Sequence, residues 1–147
     1  MSSSPPDVRT LGDLRATGYR SRSVHEEIRE NLLVYLESGR ALFPGIQGYG
    51  ETVIPAVENA LLCGHNLIFL GERGQAKSRM IRALTGLLDE WVPVVAGSEI
   101  PDDPLAPVSA HARAMAAEFG DKMEVAWLHR DSRYGEKLAT PDVSIAD

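Results

Sequence analysis

The stretch Asn66-Leu-Ile-Phe-Leu70, followed by Gly71-Glu-Arg-Gly-Gln-Ala-Lys-Ser78, decides how this chain is read. The first part is a short, almost wholly apolar run, the pattern of a parallel strand buried on both faces. The second matches the phosphate-loop pattern G-x-x-x-x-G-K-[ST] at every defined position except the sixth, where Ala76 replaces Gly. Apolar residues at Met80, Ile81, Leu84, Leu87 and Leu88 then predict a helix over Ser78–Leu88. Strand, loop and helix in this order are the context that gives the motif its meaning.

The residue types suit phosphate chemistry. Gly71 and Gly74 let the backbone curl so that its amides face inward as an anion nest. The helix that follows adds the partial positive charge of its N-terminus. Lys77 can reach the β- and γ-phosphates as a point charge. Ser78 offers a hydroxyl oxygen to Mg²⁺, which takes hard oxygen ligands. Ala76 is unstrained if the helix begins there; a positive φ at that residue would cost roughly 1 kcal/mol. The expected ligands are therefore ATP and Mg²⁺. Gly71, Glu72, Arg73, Gly74, Gln75, Ala76, Lys77 and Ser78 form the cradle, and Ser78 is the metal ligand. The alternative is an ordinary strand–turn–helix with a solvated Lys77.

Upstream, Ser23 and Glu26 form a capping box before Val24, Ile28, Leu32, Tyr35 and Leu36, so an amphipathic helix runs from Val24 to Gly39. Phe43-Pro-Gly-Ile-Gln-Gly-Tyr-Gly50 is a loop, and Val53–Leu62 reads as a second helix with Pro55 near its first turn. Downstream, Trp91–Ala96 and Met123–Leu128 read as strands, Pro93 marking an edge or irregular pairing. Gly97–Ser109 reads as an exposed loop and Ala110–Phe119 as a helix closed by Gly120. The domain reading is a disordered leader over 1–22, an N-terminal helix over 23–40 and an α/β unit over 41–147.

The composition is that of a globular chain, with 44% apolar and 24% charged residues. No apolar run approaches the ~20 residues that span a bilayer. The N-terminus lacks the apolar core of a secretory signal, and one cysteine, Cys63, precludes an internal disulfide. These features point to a cytoplasmic protein. A net charge of −6 argues against broad nucleic-acid binding. His25, His65, His111 and His129 lack metal-ligand spacing.

Gly71-Glu-Arg-Gly-Gln-Ala-Lys-Ser78 resembles the loop of the magnesium chelatase ATPase subunit, and Ala76 is similar to the MoxR-like branch of the same AAA+ clade. Phe43-Pro-Gly-Ile-Gln-Gly-Tyr49 sits where that clade places its adenine-side loop. The resemblance covers Ala41–Val95. It implies a P-loop NTPase parallel sheet flanked by helices, ATP hydrolysis, assembly as a homo-oligomeric ring, and remodelling of a partner such as a metal-insertion complex. Ile46 and Tyr49 would pack on adenine, or equally on their own loop. Arg73 would touch a phosphate or a neighbouring subunit, or be solvated.

Such an ATPase also needs a Walker B strand ending in Asp-Glu, a sensor residue and an arginine finger. Leu87-Leu-Asp89-Glu90 is too close to the phosphate loop to be that strand, and Asp89 and Glu90 read as solvated helix-end residues. The chain is therefore expected to be the truncated N-terminal part of an AAA+ domain. The alternative is a nucleotide-binding or interaction fragment with no catalytic activity of its own.

Overall fold

The computed structural model describes residues 3–40, 42–43, 53–69 and 77–136. Its helices are α1 (Leu11–Ala16), α2 (Val24–Glu37), α3 (Val53–Leu62), α4 (Lys77–Ala83) and α5 (Ala110–Phe119). Two strands, β1 (Trp91–Val95) and β2 (Val125–His129), pair antiparallel, with Trp91 opposite His129 and Val95 opposite Val125. Short 3₁₀ turns lie at Leu84–Leu87, Gly120–Lys122 and Arg130–Arg133. No described helix is long and apolar enough to cross a membrane.

The sequence places α2 well. The Ser23 hydroxyl accepts from the Glu26 amide at 3.2 Å, which satisfies one of the donors orphaned at a helix start. The Glu26 carboxylate lies 3.9 Å from Arg20. Gly39 takes φ +71° after the helix, a conformation that glycine adopts without steric cost. Leu32 then packs with Leu42, Phe43, Val57, Leu61, Met80 and Leu87 in one apolar cluster. The helix expected as a separate 23–40 element thus shares a core with α3, α4 and the turn after α4.

A second cluster joins Leu11, Leu14, Val95, Ala112, Met123 and Val125. Here the expected disordered leader is corrected. Thr10 caps α1 by accepting from the Asp13 amide at 3.2 Å, and Leu14 is only 1% exposed. The segment before α1 lies along β2: the Val125 amide donates to Arg9 O at 2.8 Å and the Trp127 indole to Val8 O at 2.8 Å. Farther back, the Trp91 indole donates to Ser3 O at 3.2 Å. Too few apolar residues stand near the N-terminus to form a periodic signal. Two leucines and a cap suffice because a distant sheet receives them.

The strands also differ from expectation. The described residues contain no parallel sheet. Asn66–Phe69 belongs to no ladder among the described residues: Leu67 and Phe69 pack on the first cluster, while Ile68 is 85% exposed. Pro93 fits β1 because of register. Arg130 N donates to Glu90 O and Ala96 N to Glu124 O, so the intervening alternation places Pro93 at a position whose missing N–H faces away from β2. The helix expected over Ser78–Leu88 is described as α-helix over Lys77–Ala83 and turns 3₁₀ at Leu84, where Thr85 and Gly86 weaken helix propensity. Cys63 is exposed.

The packing of α1 gives a direct test. Leu14→Ala should lower unfolding free energy by about 2–5 kcal/mol, the range for emptying a buried leucine site, as read from urea denaturation. A leader without tertiary contacts would leave the midpoint unchanged.

Candidate functional site

The sequence-predicted cradle falls largely outside the described residues. Gly71, Glu72, Arg73, Gly74, Gln75 and Ala76 lie there, as do Ile46, Tyr49 and the side chain of Lys77. The backbone is described again from Lys77, the first residue of α4, and Ser78 is exposed on that helix. On the approach side, Gly64 closes α3 with φ +73°, and His65 N donates to Ala60 O at 2.9 Å. On the exit side, Met80 anchors α4 in the first cluster. Farther along α4, Arg82 donates to both oxygens of Glu136, at 2.7 and 3.0 Å.

The residue pair beyond α4 is not solvated in the way expected. Asp89 accepts from Arg22 and, at 2.9 Å, from the Asn31 amide. The same Asn31 nitrogen donates to Leu87 O at 2.7 Å, supplying a partner to a carbonyl at the end of a helical segment. The Asp89 amide donates to Glu27 Oε2 at 3.1 Å. Glu90 accepts from the Ser3 amide and hydroxyl at 2.6 and 2.8 Å, which holds its carboxyl below the usual range. Segment 87–90 is thus clasped by α2 and by the N-terminal residues.

Glu27 is the centre of this arrangement. It is 4% exposed, and its Oε2 also accepts from Arg133 Nη1 at 2.7 Å. Burial alone would ease the proton off Arg22, but the Glu30 hydrogen bond and the Asp89 charge outweigh it and leave its pKa raised. The Arg22 hydrogen bond in turn lowers the Glu30 carboxyl. Sequence reasoning passed over Glu27 and Asn31. The signal was their spacing: four residues apart, they run along the edge of the stripe carrying Ile28, Leu32 and Tyr35.

Asp102 was also missed, inside a loop read as exposed. Its side chain accepts from Val108 N at 2.9 Å and Ser109 N at 2.8 Å, and Ser109 caps α5. Burial opposes ionisation of Asp102, but the Ser109 and Val108 amides prevail and lower its pKa. Asp102, Glu27 and Arg133 border a cleft of about 430 Å³ beside β1. No group of three His, Cys, Asp or Glu side chains among the described residues could hold a metal ion. His129 Nδ1 instead accepts from the Asp131 amide at 3.2 Å, and its ring meets Trp91 edge-on at 4.9 Å.

The chain matches no protein-family model, no curated protein and no solved structure.

Two measurements follow from these carboxylates. Arg133→Ala strands a buried charge and should cost about 3–5 kcal/mol, whereas replacing Glu27 and Arg133 together by apolar residues should cost less; a double-mutant cycle in denaturant checks this. The depressed Asp102 carboxyl stabilises the fold above its ordinary value of 3.8. That contribution disappears as pH falls through the lower folded value. Asp102→Asn should therefore flatten the acid limb of a stability–pH curve, and an unchanged limb would show that the two amide contacts contribute nothing.

Proposed function

We propose that the chain binds ATP with Mg²⁺ through Gly71–Ser78. It acts as the N-terminal part of an AAA+ ATPase similar to the magnesium chelatase and MoxR-like clade. The observation that carries this reading is the phosphate-loop sequence itself, with Lys77 and Ser78 at its end. The presence of Lys77 and Ser78 on α4 supports it, because a phosphate loop hands its Lys and Ser to a helix. The resemblance extends the proposal to a cytoplasmic homo-oligomeric ring that couples hydrolysis to remodelling a partner protein, such as a metal-insertion complex.

For residues 1–147 taken alone, a second reading has its own support: nucleotide binding without turnover. The Asp89-Glu90 pair follows an apolar run, but Asp89 is tied to Arg22 and Asn31 and Glu90 to Ser3. Neither carboxylate is spare for holding Mg²⁺ or polarising water. Phosphoryl transfer needs such groups, and an arginine finger is typically worth about 10³–10⁵ in rate.

Calorimetric titration with Mg²⁺-ATP tests the binding reading. Lys77→Ala removes a charge-assisted contact worth about 1.5–3 kcal/mol, so affinity should fall by at least tenfold. Equal affinity in parent and variant would overturn it. Phosphate release by the same preparations should be negligible; turnover that vanishes in Lys77→Ala would refute the binding-only reading of 1–147.

A further inference from the structure

The cleft beside β1 presents polar groups that the fold itself leaves unused. Some of its lining is already committed: Asp102 to the Val108 and Ser109 amides, Arg22 to Glu30 and Asp89. Among the described residues, Arg133 spends only Nη1, on Glu27. Its other nitrogens, the Tyr19 hydroxyl and the Ser132 hydroxyl form no hydrogen bond with the described residues. Among the described residues, Asp103 accepts through Oδ1 alone, from Leu105 N at 2.9 Å. None of these atoms is sealed away from solvent, since among the described residues only Ser21 Oγ and His129 Nε2 are buried without a partner. Burial and the Asp103 charge raise the Tyr19 pKa, so its hydroxyl remains a donor.

The cleft therefore offers a partly free guanidinium and two hydroxyls on the donor side, and a partly free carboxylate on the acceptor side. Val92, Val94, Leu128 and Pro101 supply apolar wall. Its volume is that of a small-molecule site. Charge decides among ligands. Glu27, Asp102 and Asp103 face Arg22 and Arg133, so a simple anion enters a lining with an excess of carboxylates. A simple cation leaves the Arg133 N–H groups not spent on Glu27 without an acceptor. A ligand carrying both charges satisfies both sides.

We infer that this cleft is a binding site for a small zwitterion with an apolar side chain, a free α-amino acid such as leucine. The carboxylate meets Arg133 with Tyr19 and Ser132, the ammonium meets Asp103, and the side chain lies on the valine wall. The inference stands apart from the nucleotide reading, because none of these residues belongs to the phosphate loop.

The test is saturation-transfer NMR and calorimetry on the 1–147 chain with three probes. These are leucine, 4-methylpentanoate, which lacks the ammonium, and 3-methylbutylamine, which lacks the carboxylate. Leucine should bind, with each analogue weaker by about tenfold or more, the loss of one charge-assisted contact. Asp103→Asn should weaken leucine without weakening 4-methylpentanoate, and Tyr19→Phe should weaken both. These substitutions spare the Glu27–Arg133 pair, so the fold is kept. No transfer from millimolar leucine, equal binding of all three probes, or leucine binding untouched by both substitutions would overturn the proposal.

Discussion

The rest of the structure depends on one buried carboxylate. Glu27 sits on a helix that packs in the first apolar cluster, yet its Oε2 binds Arg133, beyond β2, and the Asp89 amide, just before β1. It thereby joins the helical part of the molecule to the strand part. A charge taken from water is tolerated only when it is paired and hydrogen-bonded, and here both conditions are met by groups distant in sequence. Arg22 and Asn31 reinforce the junction through Asp89. The geometry is selective: the contacts form only if α2, segment 87–90 and the turn after β2 meet together.

Local elements were legible wherever a cap or period was written in adjacent residues. Ser23 and Gly39 bracket α2, and Gly120 closes α5, because capping is short-range chemistry. Long-range pairing was not legible. Val125–His129 has no feature that distinguishes an antiparallel partner from a parallel one; the choice is made by α1 and α5 meeting the sheet through Leu11, Leu14 and Ala112. The order of helices and strands suggested a parallel sheet, and the described strands pair the other way. Asp102 escaped notice because its partners, six and seven residues on, are backbone amides that carry no side-chain signature.

The candidate nucleotide site stands in the opposite relation to the sequence. Its chemistry is written in eight adjacent residues, since a phosphate cradle is built from local backbone amides and one lysine. The described structure contributes its flanks: α3 closing at Gly64, and α4 described from Lys77 onward. Asp89 and Glu90 show how motif and context separate. The same two residue types could serve magnesium, yet in this fold they serve as acceptors that hold α2 and the N-terminal residues in place.

The most direct measurement of the central claim is a residue-resolved ¹⁵N NMR titration of the 1–147 chain with Mg²⁺-ATP. The account predicts that the largest amide shifts fall on Gly71–Ser78, because nest amides and the first amides of α4 would turn to phosphate oxygens. Saturating shifts centred elsewhere, for example around Arg22 and Arg133, or no shifts at all, would contradict it.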